Sequence, residues 1–249
     1  MSTYTTVGLV LRRFPLGEAD SIVHLLSKER GKLDVVAKGA RRPRSKHLAV
    51  TQPFVYGRYL LFPGRTLERL NQGEVLSAYR RLREELDYFA LCTYCCELVD
   101  KLLPVGEPAE NVFVLVKGLF DYLQETPASR VSLGNALTFF RLKLLAALGY
   151  QVDFASCTNC GRGQELSTFS FKEGGPLCAA CSGRDQGALA VAPAVFASLV
   201  KLSSLGWPKL GIIKLEPYQQ TIEDLLEGFY RYHLEVEAKS SEFLKSIRR

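Results

Sequence analysis

The sequence predicts an α+β protein with three parts: a five-stranded OB-fold barrel at the N-terminus, a helical body, and a small metal-binding module inserted in that body. Through residue 79 the apolar residues recur with a period of about two, and after it with a period of about 3.6. Two Cys-x-x-Cys pairs interrupt the helical part. We expect an OB-fold domain over residues 1–79 and a helical domain over 80–249, with the insertion at 153–187.

Five strands are predicted in the first domain. Each is rich in β-branched and apolar residues, and glycine or proline residues lie between them. The predicted strands are 5–14, 21–27, 32–38, 54–62 and 66–78. Five short strands in about 80 residues fit the closed barrel of an OB-fold, although an SH3-like barrel would fit the same count.

Five helices are predicted in the rest of the chain. Their apolar residues recur at helical spacing, and proline or glycine marks several of their ends. The predicted helices are 82–104, 108–123, 132–148, 193–205 and 217–247. Three cysteines of the first helix, Cys92, Cys95 and Cys96, follow its apolar spacing, so we expect them in the core.

The two Cys-x-x-Cys pairs are the clearest chemical signal. Cys157 and Cys160 are followed, after 17 residues, by Cys178 and Cys181. This spacing is typical of a zinc ion held by four thiolates. Because four thiolates leave no position for water, we expect one structural zinc ion and not a catalytic one. Disulfides or redox pairs are the alternative, which a reducing compartment disfavours.

The sequence shows no pattern typical of an enzyme. It has neither a GxxxxGK[ST] loop nor a GxGxxG turn, no nucleophile elbow and no deaminase zinc motif. Its three histidines, His24, His47 and His233, are expected to be hydrogen-bonded or exposed. No apolar run could cross a bilayer, and no signal segment precedes the first strand. We therefore expect a non-enzymatic, cytoplasmic protein.

Residues 30–46 are strongly basic. They contain seven Lys/Arg and one acid, Asp34, and the chain through residue 83 has a net charge of +10 while the remainder has −4. A basic surface on one domain is typical of proteins that bind a phosphate backbone. Tyr56 and Tyr59 could add stacking platforms for bases. The candidate contacts are Arg30, Lys32, Lys38, Arg41, Arg42, Arg44 and Lys46, with Arg12 and Arg13 extending the surface.

Two other classes of protein fit the same residues. The basic segment of a zinc-containing adaptor would bind an acidic protein and have little affinity for oligonucleotides. A barrel that binds RNA would use the same cations but would distinguish RNA from DNA through the 2′-hydroxyl. A nuclease is the least favoured class, since no cluster of carboxylates with metal-binding spacing stands out.

Several strings of residues, in order along the whole chain, resemble the RecO family of bacterial recombination mediators. They are EADSIV at 18–23, ERGKL at 29–33, AKGARR at 37–42, FRL at 140–142 leading to LGY at 148–150 and CTNCG at 157–161, and YRYHL at 230–234 leading to FL at 243–244. The resemblance implies an N-terminal OB-fold, a helical body and a zinc-binding insertion.

The resemblance also implies a function in DNA repair. RecO-like proteins bind single- and double-stranded DNA, anneal complementary strands and, with RecR, help to load RecA onto single strands covered by single-strand-binding protein. The acidic tail of that last partner requires a basic rim around an apolar pocket, for which Arg141 and Lys143 are candidates. The implied location is the bacterial cytoplasm, in association with the nucleoid.

Overall fold

The five predicted strands form a closed barrel in the computed structural model. The structure describes residues 2–127 and 129–247. The strands are β1 (Tyr4–Leu16), β2 (Asp20–Ser27), β3 (Gly31–Ala37), β4 (Tyr56–Phe62) and β5 (Glu68–Ser77). They close in the order β1-β2-β3-β5-β4; β3 pairs with β5 in parallel, and the other pairs are antiparallel. The predicted α+β class with a five-stranded barrel is therefore confirmed.

Alternating side chains fill the interior of the barrel. In β3, Leu33, Val35 and Ala37 belong to the buried core. Because side chains alternate along a strand, Lys32 and Asp34 lie on the outer face of the barrel wall. This alternation decides which of the candidate residues can reach an external ligand from this strand.

Helix α2 packs on β1 and reaches β2 and β3 through Asp100. Three helices follow the barrel: α1 (Arg81–Glu84), α2 (Leu86–Leu102) and α3 (Glu110–Glu125). The carboxylate of Asp100 in α2 lies 3.4 Å from Arg12 Nη1 of β1, 2.7 Å from His24 Nδ1 of β2 and 3.7 Å from Lys32 Nζ of β3. One buried acid thus binds three strands of the barrel to the helix.

The turn after α2 extends this contact to the start of β3. The Gly106 N–H donates a 2.8 Å hydrogen bond to the Lys32 carbonyl. Gly31 has a φ of +65°, and a Cβ at this position would overlap the carbonyl oxygen of Glu107. A glycine is required here both by the left-handed backbone and by the close approach of the turn.

Contacts divide the chain into two compact units. The first comprises Met1–Thr126 together with Ala238–Arg249, and the second comprises Pro127–Glu237. In the first unit, helices pack on the barrel. The predicted boundary at residue 79 therefore lies inside the first unit. As a boundary between separately folding domains, residue 79 stays a prediction.

The second unit combines helices with a small sheet. Asn135 of its first helix donates two 2.8 Å hydrogen bonds to the carbonyls of Leu210 and Ile213, which fixes a short 3-10 segment. No helix in the described ranges has both the length and the apolar character needed to cross a bilayer. The elements are α4 (Arg130–Ala147), β6 (Leu166–Ser170), β7 (Gly175–Cys178), β8 (Leu189–Ala190), α5 (Pro193–Ser203) and α6 (Gln219–Leu234).

The prediction of one long helix at 217–247 is wrong. Helix α6 ends where Glu235 adopts a left-handed conformation with a φ of 51°, and a separate helix α7 (Ser240–Ile247) follows in the first unit. The carboxylate of Glu97 in α2 accepts hydrogen bonds of 3.0 Å from the N–H groups of Lys239 and Ser240, and one of 2.6 Å from the Ser240 hydroxyl. Periodicity could not reveal this break because Glu97 lies far away in the sequence.

Replacing Glu97 with alanine is expected to destabilise the first unit in a pH-dependent way. Burial raises the pKa of Glu97, but the hydrogen bonds from Ser240 and Lys239 outweigh it and lower the pKa to about 2. Because the folded pKa lies below the unfolded one, the stabilisation is complete above the unfolded pKa and is lost as pH falls through the folded pKa. The shift corresponds to about 2 to 3 kcal/mol at pH 7.

Urea unfolding of E97A and the wild type measures this difference. The gap between the two free energies of unfolding should shrink as pH falls below about 4. E97Q, which keeps an acceptor oxygen, is expected to lose less than E97A. Equal stability of E97A and the wild type at pH 7 would show that the carboxylate does not hold α7.

Candidate nucleic-acid interface and metal centre

Most of the basic residues lie in the connection between β3 and β4. We refer to residues 38–46 as the basic turn. Its backbone forms successive hydrogen-bonded turns: the Arg42 N–H donates to the Gly39 carbonyl at 3.1 Å, and the Ser45 N–H donates to the Arg42 carbonyl at 3.0 Å. The basic turn therefore has a defined conformation of its own.

The basic turn is attached to the neighbouring turn between β1 and β2. The Gly39 N–H donates a 2.7 Å hydrogen bond to Asp20 Oδ1. The Arg41 N–H donates to the Ala19 carbonyl at 2.9 Å, and Arg41 Nη1 donates to the Gly17 carbonyl at 2.8 Å. Two turns separated in sequence thus form one hydrogen-bonded surface at this end of the barrel.

Arg13 supports the basic turn from the barrel wall. Its Nη2 donates a 3.1 Å hydrogen bond to the Ala40 carbonyl, and its Nε donates a 3.0 Å hydrogen bond to Ser21 Oγ. Arg13 is half-buried, and two of the five donors of its guanidinium bind the protein in this way. Arg13 and Arg41 therefore hold the turn in place as much as they extend its charge.

The other cations of the basic turn point into solvent. Among the described residues, no hydrogen-bonding or ion-pair partner is found for their charged groups. Because these like charges repel one another, an anion placed among them is stabilised. The exposed cations are Lys38, Arg42, Arg44 and Lys46.

Lys32 does not belong to this surface, and its prediction as a phosphate contact is wrong. Its side chain is 11% exposed, and its ammonium donates a hydrogen bond to the Asp100 carbonyl. Arg12 is engaged by the same residue through the Asp100 carboxylate. Both side chains therefore bind the barrel to α2.

Arg30 lies at the opposite end of β3 from the basic turn. Its guanidinium stacks on the ring of Tyr4, with the two centres 4.0 Å apart. Seven residues of extended strand separate Arg30 from Lys38, a span of roughly 25 Å. The cations that are contiguous in the sequence therefore do not form a single cluster.

The two candidate stacking tyrosines are engaged inside the protein. Tyr59 is 2% exposed, and its hydroxyl donates a 3.0 Å hydrogen bond to the Val50 carbonyl. Tyr56 is half-buried, with its ring centroid 6.3 Å from that of Phe113. The prediction of Tyr59 as a base-stacking platform is wrong, because its ring lies in the core, and for the half-buried Tyr56 that role stays a prediction.

The position of α2 restricts where an oligonucleotide could bind. OB-folds commonly use the outer face of strands 2 and 3 for this purpose. In this protein two side chains of that face, His24 and Lys32, are bound to Asp100. The exposed cations of the basic turn are therefore left as the main candidate interface, and they offer contacts to phosphates rather than to bases.

The four predicted metal ligands come together in the second unit. The Sγ atoms of Cys157, Cys160, Cys178 and Cys181 all lie within 4.8 Å of one another, and those of Cys160 and Cys178 are 3.7 Å apart. Tetrahedral zinc with Zn–S bonds of about 2.3 Å requires S–S separations of about 3.8 Å. The donor set and its spacing fit zinc. In the described part of the chain, no second group of three or more such ligands occurs.

Tight backbone turns present the thiols. The Gly161 N–H donates to the Cys157 carbonyl at 2.8 Å, and the Cys181 N–H donates to the Cys178 carbonyl at 2.9 Å. Burial raises the pKa of the Cys157 thiol, but the N–H groups of Cys178, Cys160 and Asn159 outweigh it and lower the pKa to about 6. Cys157 therefore favours the thiolate, which is the form that binds a metal ion. The Arg162 N–H lowers the pKa of the Cys160 thiol, but its contacts with the neighbouring thiols, Cys157 foremost, outweigh this and raise the pKa to about 11.

Three cysteines and two histidines outside the metal site have structural contacts. Cys92, Cys95 and Cys96 are at most 1% exposed, which confirms the prediction that they are core residues. His24 is hydrogen-bonded to Asp100, as expected of a bonded histidine. His233 packs on Phe229 of the same helix, with ring centroids 4.3 Å apart.

The two candidate partner-binding residues differ in exposure. Arg141 is 4% exposed, so its prediction as part of a basic rim is wrong: the side chain is inside the second unit. Lys143 is half-buried and donates a 2.7 Å hydrogen bond to the Ser203 carbonyl. It lines a cavity of about 160 Å³ together with Tyr150 and Phe154.

Two family models match the chain. Residues 1–79 match the model described as Recombination protein O N terminal, and residues 83–242 match Recombination protein O C terminal. Between them they cover the barrel and nearly all of the remaining chain. The barrel and the helical body thus place the chain among proteins of DNA repair and recombination.

Curated relatives agree over their full length. The DNA repair protein RecO of Symbiobacterium thermophilum is 35% identical, with 100% of this chain and 99% of the relative covered. Those of Desulforudis audaxviator and Clostridium acetobutylicum are 33% and 30% identical, with at least 98% of each relative covered. The chain belongs to the RecO family, which confirms the resemblance seen in the sequence, and its N-terminal barrel is an OB-fold.

Proposed function

We propose that this protein is a non-enzymatic recombination mediator that binds single- and double-stranded DNA and anneals complementary strands. With RecR, it would assist the loading of RecA onto single strands covered by single-strand-binding protein. The main support for the proposal is the basic turn. Its exposed cations lie on a hydrogen-bonded turn of the OB-fold, and the chain belongs to the RecO family. The contacts we propose are Lys38, Arg42, Arg44 and Lys46, supported by Arg13 and Arg41.

Contacts to phosphates suit annealing. Two single strands repel each other through their phosphates, and cations that neutralise the phosphates lower that repulsion. A protein that binds only the phosphate backbone of a DNA strand leaves the pairing edges of its bases free. The burial of Tyr59 favours binding of this kind, because its ring cannot hold a base by stacking.

We propose one structural zinc ion in the four-cysteine site. Zinc held by Cys157, Cys160, Cys178 and Cys181 would stabilise the small sheet of β6, β7 and β8. With four thiolate ligands no position remains for a substrate or water, so no catalytic role is proposed.

For the acidic tail of single-strand-binding protein we propose the cavity beside Lys143. Its ammonium is the cation at the edge of this small cavity, and apolar lining groups such as Phe154 would receive an apolar side chain. Arg141 is left out because it is buried. We further propose a cytoplasmic location in association with the nucleoid.

An abasic oligonucleotide should bind as tightly as a normal single strand of equal length. Stacking contributes about 1 to 3 kcal/mol per base in proteins that use it, so a protein that held bases would lose far more than tenfold in affinity. Fluorescence anisotropy titrations over a range of salt concentrations would measure this, with single-stranded, duplex, abasic and RNA oligomers in parallel. Binding should weaken steeply with salt for all of them.

The same titrations separate the alternatives. A clear preference for RNA over DNA of the same sequence would favour the RNA-binding class. No binding of any oligomer at moderate salt would favour the adaptor class, in which the basic turn binds an acidic protein. A large loss with the abasic strand would contradict recognition through phosphates alone.

A further inference from the structure

We propose that Asp20 is a positioning residue that holds the basic turn in the conformation that binds DNA. The role rests on the proposed function, because it concerns the same surface. Asp20 is an acid placed beside several cations, where its own charge repels a DNA phosphate. Its contribution to DNA binding must therefore come from the hydrogen bond that it makes.

The hydrogen bond fixes the point at which the chain leaves the barrel. Asp20 begins β2, where its Cα is paired with that of Leu16. Its Oδ1 accepts the Gly39 N–H at 2.7 Å, and Gly39 has a left-handed φ of +64°. Since Gly39 directly follows Lys38, this contact sets the direction of the basic turn relative to β3.

Asp20 differs from the other attachments of the turn. The Ala19 and Gly17 carbonyls also accept hydrogen bonds from Arg41, but these acceptors belong to the backbone and are not removed by a substitution at Asp20. Among the described residues, Asp20 is the one acidic side chain hydrogen-bonded to the basic turn. A mutation can therefore remove this contact alone.

The Asp20–Gly39 hydrogen bond joins two of the strings named in the sequence analysis. Asp20 lies in the string at 18–23, and Gly39 lies in the string at 37–42, both of which carry the resemblance to RecO. In the structure these two strings meet through the Asp20–Gly39 hydrogen bond. An ordered binding surface loses less conformational entropy when it takes up its ligand, so the contact should raise affinity.

Asp20 could affect DNA binding through its negative charge or through its hydrogen bond to the basic turn, and the two explanations predict opposite changes in DNA affinity when Asp20 is replaced by alanine. D20A removes both the negative charge and the acceptor, whereas D20N removes the charge but keeps an acceptor oxygen. Glu18 gives a matched control, since it is an exposed acid in the same turn with no hydrogen bond to the basic turn. E18Q therefore removes the same charge and leaves the contact intact.

If Asp20 positions the turn, D20A should bind single-stranded DNA about tenfold more weakly than the wild type, which is the effect of losing one charge-assisted hydrogen bond. D20N and E18Q should bind at least as tightly as the wild type. If only charge matters, D20A, D20N and E18Q will all bind equally or more tightly than the wild type, and the proposal is overturned.

Trypsin provides a second measurement that needs no DNA. Arg41 and Arg44 are cleavable positions in the basic turn, and cleavage there requires local opening. D20A should be cut there faster than D20N, E18Q and the wild type, and equal rates would also overturn the proposal. A wild-type chain that does not bind DNA would contradict the proposed function instead, while the trypsin rates still decide whether Asp20 orders the turn.

Discussion

Replacing Cys178 with serine is expected to abolish tight zinc binding and to unfold the module formed by β6, β7 and β8. Cys178 ends β7, and its Sγ lies 3.7 Å from that of Cys160. Structural zinc contributes on the order of 10 kcal/mol to the folding of small zinc-finger peptides, so the loss of one ligand should exceed any single core mutation in the second unit. Metal analysis and thermal unfolding measure the two effects.

A cysteine outside the site serves as the control. Cys92 is buried in α2, and C92A should cost only about 1 kcal/mol through a small cavity. Its zinc content should equal that of the wild type. If C178S still retained one equivalent of tightly bound zinc, the four-cysteine assignment would be contradicted.

Removing three exposed cations of the basic turn is expected to weaken DNA binding about a hundredfold at low salt, since each contributes a charge-assisted contact of about 1 kcal/mol. The variant is R42A/R44A/K46A. For single strands, the slope of log affinity against log salt concentration should become less steep by about 2. Each phosphate that is no longer neutralised removes about 0.7 from this slope. Anisotropy titrations at several salt concentrations give both quantities.

A charge-matched variant tests whether the location of these cations matters. Lys28, Arg58 and Arg65 are exposed cations of the barrel that lie outside the basic turn. K28A/R58A/R65A removes the same charge as the first variant. If both triple variants lost the same affinity, DNA would respond to the net charge of the barrel, and the basic turn would not be the interface.

The sequence predicts well those features that depend on neighbouring residues. The barrel strands follow from alternation within each strand, and the four-cysteine cluster follows from two short spacings. The basic turn is visible because its cations are contiguous and are followed by polar turn residues. Each of these signals lies within a short window, where sequence and local structure are closely linked.

Several of the errors involve partners that are distant in the sequence. Lys32 is buried because Asp100, 68 residues away, receives its ammonium. The break between α6 and α7 is stabilised by Glu97, which is 143 residues from Ser240. Asp20 was missed for the same reason, because nothing in its own surroundings indicates that it accepts a hydrogen bond from Gly39.

The hydrogen bonds of Glu97 also affect the order in which the protein can fold during synthesis. The first unit is interrupted by the whole of the second and is completed only by residues after Ala238. On the ribosome, the residues of the second unit are all available before α7 emerges. Until then the Glu97 carboxylate lacks the donors of Lys239 and Ser240, and an ionised carboxylate in that position is costly to bury. The barrel that carries the basic turn therefore reaches its final stability last, although its strands are made first.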